Sequence, residues 1–146
     1  MRLLLNIIWL IFAGVWMAIA YVIAGLVMCI TIIGIPFGVQ SFKLAGFALW
    51  PFGRTLIPTG RHQALSVIGN VLWFIFAGWW LALGHLITGT LLCITLVGIP
   101  LGIASFKMAG AALVPFGKEI VDLDSLEKVP SGAIVVAPAD RSALEG

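Results

Sequence analysis

Between Leu3 and Ile33, thirty-one successive residues carry no charge and no proline. About 20 apolar residues span the hydrocarbon core of a bilayer. A single helix over this run would be about 46 Å long at 1.5 Å per residue. It must tilt, protrude or bend, and Gly14 and Gly25 are the natural bend points. Met1-Arg2, the run behind it and Ala18-Ile19-Ala20 have the outline of a secretory signal. The run continues past that point, however, and recurs in mid-chain, so it reads as retained structure.

The recurrence is a tandem repeat. Shifted by 64 positions, Asn6–Arg54 meets Asn70–Lys118 without a gap, with 27 identities in 49 positions. Cys29-Ile-Thr-Ile-Ile-Gly-Ile-Pro-Phe-Gly38 becomes Cys93-Ile-Thr-Leu-Val-Gly-Ile-Pro-Leu-Gly102. Duplicated units of this kind occur in membrane proteins that bind or move something at the repeat interface, and in purely structural modules.

Each repeat is punctuated at Gly34, Pro36 and Gly38, and again at Gly98, Pro100 and Gly102. The proline removes a backbone donor and forces its predecessor out of the α region. It then suits the first turn of a second helix. That helix runs to about Trp50 and stops at Pro51. Its fifteen or so residues include Gln40, Ser41 and Lys43, so it reads as amphipathic, interfacial or re-entrant. The expected architecture is an all-α integral membrane protein of two homologous repeats. Each has a long transmembrane helix, a Gly-Pro break and a short helix. The boundaries are a first repeat over 1–54, a basic linker over 55–66, a second repeat over 67–118, and an acidic, flexible tail over 119–146. Within the tail, Ala133–Ala137 has the composition of a strand.

Charge supports this division. Of 146 residues, 62% are hydrophobic and 10% charged, against about 25% charged in a soluble domain. A soluble enzyme, a disordered chain and a disulfide scaffold are excluded. All six acids lie from Glu119 onward, so the membrane part is basic. Isolated cations suit anionic lipid head groups, with Lys43, Arg54, Lys107 and Lys118 as candidate contacts. They do not form a nucleic-acid-reading motif. Two arrangements satisfy the pattern. In one, each long segment crosses once, the repeats are inverted, and Lys107 and Lys118 face away from Lys43, Arg54 and Arg61. In the other, each long segment bends near Ala20–Gly25 and every cation shares one face, as the positive-inside rule prefers.

The chemistry is sparse. No catalytic motif is present, and no acid lies before Glu119, which disfavours a proton- or sodium-coupled carrier. His85 is the titratable group within the apolar runs, and its repeat equivalent is Tyr21, so a hydrogen-bonded aromatic is the expected role. Cys29 and Cys93 lack ligand spacing and read as small hydrophobes. No metal or cofactor is expected. Trp9, Trp50 and Trp73 fit an interfacial belt, whereas Trp16 and Trp80 sit deeper and suit helix packing. Small residues four apart, such as Gly25/Cys29 and Gly89/Cys93, suit close packing of repeats or protomers.

The motif Asn-x-x-Trp-x-Ile-Phe-x-Gly-x-Trp, then Cys-Ile-Thr-x-x-Gly-Ile-Pro-x-Gly-x-x-x-Phe-Lys and Pro-Phe-Gly, resembles the YccF family. The resemblance covers about residues 3–54 and 67–118. It implies a bacterial inner-membrane, multi-pass component with one or more copies of this domain and no established activity. It brings no catalytic residues. The expected role is non-enzymatic and accessory, with lipid contact and a possible homo-oligomer or membrane-protein partner. The alternative is a small transporter or channel at the repeat or oligomer interface.

Overall fold

The computed structural model describes residues 1–126, 130 and 133–136. The first long run forms one helix, α1 (Arg2–Cys29), with a π-helical turn over Leu10–Gly14. The irregularity therefore falls at Gly14, one of the two expected positions, and not at Gly25. A tight turn leads into α2 (Ile35–Leu49), with Gly34 before it and Pro36 in its first turn. Trp50 leaves the α region ahead of Pro51 and ends the helix. The second repeat copies this as α3 (Gln63–Cys93), with its π turn at Phe74–Gly78, and α4 (Ile99–Leu113).

α1 and α2 form an antiparallel hairpin. Its contacts run from Cys29 against Gly38 near the turn to Trp9 against Ala48 at the open end. The bend expected near Ala20–Gly25 is not where the chain reverses. The reversal lies at Ile30–Gly34, because proline stops the helical hydrogen-bond ladder there. Glycine makes the approach possible. A Cβ on Gly38 would overlap Cys29 Sγ and lie 2.8 Å from the Gly25 carbonyl oxygen. Gly102 stands in the same relation to Cys93 and Gly89. The small-residue spacing at Gly25/Cys29 and Gly89/Cys93 thus serves packing within a hairpin rather than between repeats. Between repeats, Gly84 lies against Met17.

The chain is mostly helical, but the expectation of an all-α fold is corrected. Arg54–Pro58 forms β1, Lys118–Asp122 forms β2 and Ile134–Val135 forms β3, in an antiparallel sheet of order β2-β1-β3. A strand thus occupies the start of the expected linker, and another opens the expected tail. A 3₁₀ turn over Leu123–Ser125 follows β2. Pro58 and Gly60 disguise β1 in the sequence, and its partner is 64 residues away, beyond any local pattern. Ile134-Val135 does pair, with Leu56 and Thr55. Residues 127–129, 131, 132 and 137–146 of the expected flexible tail fall outside the described residues.

The register of β1 and β2 expresses the duplication. Leu56 lies opposite Ile120, its own equivalent 64 residues on, with Arg54 opposite Asp122 and Pro58 opposite Lys118. An antiparallel pair centred on equivalent residues has a local two-fold perpendicular to the sheet. The same offset brings Tyr21 Oη to 3.1 Å from His85 Nε2. The hydrogen-bonded role expected for His85 is what the geometry gives. Ser41 and Ser105 reinforce the pair from α2 and α4. Their hydroxyls donate to the carbonyls of Tyr21 and His85 at 2.5 and 2.7 Å.

The tryptophan assignment is reversed for Trp9, Trp73 and Trp16, while Trp80 is partly buried against the core, in keeping with the packing role expected of it. Trp9 and Trp73 are fully buried, and each Nε1–H donates at 2.7 Å to the carbonyl of Ala48 or Ala112, at the end of the returning helix. Those carbonyls have no partner in their own helix, so the indoles act as caps rather than belt residues. Trp16 is 70% exposed.

Asn6 and Asn70 hold the chain after each hairpin. Asn6 Nδ2 donates to Phe52 O at 2.8 Å, and Phe52 N donates to Asn6 Oδ1 at 3.0 Å. Asn70 brackets Phe116 in the same way. Asn6→Leu should cost about 2 kcal/mol, two net hydrogen bonds of about 1 kcal/mol each. The Phe52 amide should lose its protection from hydrogen exchange while the Trp9–Ala48 end of the hairpin keeps its own. An unchanged Phe52 amide would show that the bracket is dispensable.

Candidate functional site

β1 and β2 bring separated cations together. Lys43, from the middle of α2, lines a groove of about 580 Å³ with Arg54, Arg61 and Lys118. Gln40, Thr59 and Glu119 also line it. Four cations line the groove with the Glu119 carboxylate, and although Arg54 also pairs with Asp122 at 3.5 Å the groove stays positive. Gln40 Nε2 donates to Pro115 O at 3.1 Å, and Thr59 Oγ1 donates to Gly117 O at 3.1 Å. These bonds tie the wall to the second repeat. Burial lowers the Lys118 pKa below the usual lysine value. An anion in the groove would oppose that shift by favouring the ammonium form.

Three of the four cations expected to contact lipid, Lys43, Arg54 and Lys118, therefore share a groove. Lys107 is not among its lining residues. The repeat relation explains the asymmetry, because the equivalents of Gln40, Thr59 and Arg61 are Ala104, Leu123 and Ser125. The groove is a feature of one side, built where the copies have diverged. Arg61, Gln40, Thr59 and Glu119 were missed as a group because only the non-local β1–β2 pairing assembles them. The arrangement also differs from inverted repeats, which place Lys118 on the side opposite Lys43.

At the far end of the β1–β2 ladder, Arg54 pairs with Asp122 at 3.5 Å, and just beyond it Arg2 pairs with Asp124 at 2.7 Å. These ion pairs are largely solvent-exposed, and such pairs contribute about 0–1 kcal/mol. The helix-break residues Gly34, Pro36 and Gly38, with Gly98, Pro100 and Gly102, shape the hairpin turns and do not line the groove.

Three further threonines turn onto the backbone, whereas Thr88 Oγ1 meets Met17 Sδ at 3.9 Å. Thr31 and Thr95 hydroxyls bond to Met28 O and Leu92 O, and Thr90 bonds to Leu86 O. Among the described residues no buried side-chain polar atom lacks a partner. No group of three or more His, Cys, Asp or Glu among them stands close enough to hold a metal. A second cavity of about 470 Å³ lies between the hairpin of the first repeat and α3 of the second. Its walls are apolar and include Ile23, Met28, Phe37, Leu72, Phe76 and Trp80.

Two helices long and apolar enough to cross a membrane, each followed by a short returning helix, and the paired strands between the copies make a duplicated, mostly helical fold. The YccF family, described as an inner membrane component domain, matches residues 4–54 and again 68–118. The chain belongs to this family. The inner membrane protein YccF of Escherichia coli (strain K12) is 35% identical over 136 residues, covering 87% of this chain and 92% of that protein. The YccF protein of Shigella flexneri gives the same figures. No solved structure matches the chain.

Proposed function

We propose that the chain is a non-enzymatic, structural or accessory component of the bacterial inner membrane that holds anionic lipid head groups in its basic groove. The observation that carries this reading is the convergence of Lys43, Arg54, Arg61 and Lys118 on one groove at the edge of an apolar helical body. Such a groove matches the phosphate of an anionic head group, with apolar helix faces beside it for the acyl chains. Lys107 contributes at most a separate, weaker contact. A transport path finds less support. Asn6, Thr31, Ser41, Asn70, Thr90, Thr95 and Ser105 are occupied by backbone partners rather than gathered along a lining. The 470 Å³ cavity is walled by apolar side chains, which suits no ion.

The test is lipid retention by the full chain, reconstituted in vesicles of phosphatidylglycerol and phosphatidylethanolamine and then extracted in mild detergent. A basic residue near an anionic surface contributes about 1 kcal/mol. Lys43→Ala with Arg61→Ala should therefore lower phosphatidylglycerol retention by roughly 25-fold, since each 1.4 kcal/mol is tenfold. Lys107→Ala should change it little. Raising salt should weaken retention in the parent and less so in the double variant. The pH dependence follows from Lys118. Its pKa is lowered, so the contribution of its charge is complete well below that lowered value. It is lost as pH rises through it, before the value of about 10.4 of a free lysine is reached. Equal retention by parent and double variant would sink the reading.

A further inference from the structure

We propose that both hairpins enter the bilayer from the face on which the sheet lies and end within the hydrocarbon, so that the long helices lie oblique and neither repeat crosses the membrane. This rests on the membrane setting of the family and is independent of lipid retention in the basic groove. It replaces the multi-pass crossing expected from helix length.

The hairpin tips carry the argument. Ile30, Ile32 and Ile33 are 81–87% exposed, and their equivalents Ile94, Leu96 and Val97 are 76–86% exposed. No charged residue lies between Arg2 and Lys43, or between Arg61 and Lys107. A loop that emerged into water on the far side would have no reason to present three bare aliphatic side chains, and interfacial anchors are absent from both tips. The one polar side chain in each tip is folded inward. Thr31 Oγ1 donates to Met28 O at 3.3 Å and accepts from Gly34 N at 3.1 Å. Thr95 makes the same pair of bonds to Leu92 O and from Gly98 N, both at 3.1 Å. The amides of Ile30, Thr31, Gly34 and Ile35 bond to the carbonyls of Val27, Met28, Thr31 and Ile32, which leaves the amides of Ile32 and Ile33 as the two in the turn without a backbone partner.

Distance decides how deep the tips reach. Lys43 lines an open groove with Arg54, Arg61 and Lys118, so it marks the aqueous boundary. From Gly34 to Lys43 is nine helical steps, about 14 Å at 1.5 Å each. The hydrocarbon core is about 30 Å thick. A hairpin that crossed fully would draw Lys43 into the core, beyond what its flexible stem could correct by snorkelling. The same count from Gly98 to Lys107 gives the same depth for the second repeat. The tips thus reach about the bilayer mid-plane. The two-fold perpendicular to the sheet then lies along the membrane normal, and each 28- or 31-residue helix is oblique. The basic residues gathered at the sheet place that face in the cytoplasm.

The experiment places single cysteines in the full chain with Cys29 and Cys93 replaced by alanine. The sites are Ile32→Cys and Leu96→Cys at the two tips, and Arg61→Cys beside the sheet. All are exposed, so hairpin packing is preserved. An impermeant maleimide is applied to intact spheroplasts and to inverted vesicles. Arg61→Cys should react only in inverted vesicles, and both tip cysteines should react in neither. Nitroxides attached to the tip cysteines in detergent and reconstituted into vesicles should report depths near the mid-plane, with high oxygen and low nickel-complex accessibility. Reaction of either tip from spheroplasts would mean that the hairpin crosses, and reaction from the Arg61 side would mean that it lies in water. A nitroxide at head-group depth would also overturn the proposal. Sealed tips alongside unchanged lipid retention in the groove variants would leave this topology standing and remove the lipid-holding role alone.

Discussion

Gly38→Ala should destabilise the first hairpin by about 2 kcal/mol, within the usual range for overpacking, whereas Gly110→Ala should stabilise the protein by about 0.5–1 kcal/mol. Both residues lie inside a short helix, so both alanines gain the same helix propensity. What differs is the space. Nothing lies within 4 Å of a Cβ on Gly110. A Cβ on Gly38 overlaps Cys29 Sγ and meets the Gly25 carbonyl at 2.8 Å. The sulfur has one rotatable bond, but the carbonyl belongs to the facing helix and moves only if the helices part. Cys29→Ala in the Gly38→Ala background should therefore recover part of the loss and not all of it. Gly102→Ala should repeat the effect in the second hairpin, against Cys93 and Gly89. Thermal unfolding in a mild detergent, followed by circular dichroism, would read all four variants. Gly38→Ala as stable as the parent would mean that the hairpin is looser than this contact requires.

The long helix, the break and the short helix of each repeat were legible in the sequence because their determinants are local, whereas the reversal expected near Ala20–Gly25 falls at Ile30–Gly34. Apolar length, the Gly-Ile-Pro-x-Gly break and Pro51 act within a few residues, and the 64-residue offset shows that the second copy repeats them. The pairing of copies was not legible. β1 and β2 each have five residues, each reads as a loop or tail in isolation, and they are strands because they meet. The basic groove inherits that limit. Lys43, Arg54 and Lys118 were visible as cations, but Arg61 joins them only through the pairing, and Lys107 looked equivalent because the repeat made it so. The tryptophans failed for a related reason. Trp9 resembles a belt residue when depth is counted along one helix. The end of the returning helix decides its environment, and that helix is placed by the turn at Ile30–Gly34.

Some of the divergence between the copies falls where they touch or cease to be equivalent. Tyr21 faces His85 near the two-fold, and two tyrosines or two histidines there would also offer one donor and one acceptor. The hydroxyls that support the pair, Ser41 and Ser105, are retained in both repeats. At the groove, by contrast, Gln40 and Arg61 face Ala104 and Ser125 across the repeat relation. Retained polar groups are those that satisfy a buried partner, which is costly to leave unmade. On the open wall of the groove, substitution changes what can bind without unsettling the fold.

The open end of each hairpin depends on one indole, and Trp9→Ala should cost about 3 kcal/mol, at the low end for a buried aromatic. The low end applies because surrounding lipid is as apolar as the side chain, so the water-transfer contribution is small and packing is what is lost. Trp9 is fully buried, packs edge-on against Phe52 at 6.0 Å between ring centroids, and caps Ala48 O. Its ring also lies against Gly14, where the π turn ends. Trp9→Phe separates the contributions. It keeps an aromatic ring and removes the N–H, leaving the Ala48 carbonyl unpaired, so it should lose about 1–2 kcal/mol. Trp73→Ala and Trp73→Phe should lose the same amounts, because Trp73 caps Ala112 in the same geometry and packs on Phe116. The double variant Trp9→Ala with Trp73→Ala should show additive loss, as expected for sites without a shared partner. Unfolding in mixed detergent micelles would provide the five values. A Trp9→Phe protein as unstable as Trp9→Ala would assign the whole effect to the hydrogen bond, and one as stable as the parent would assign it to packing.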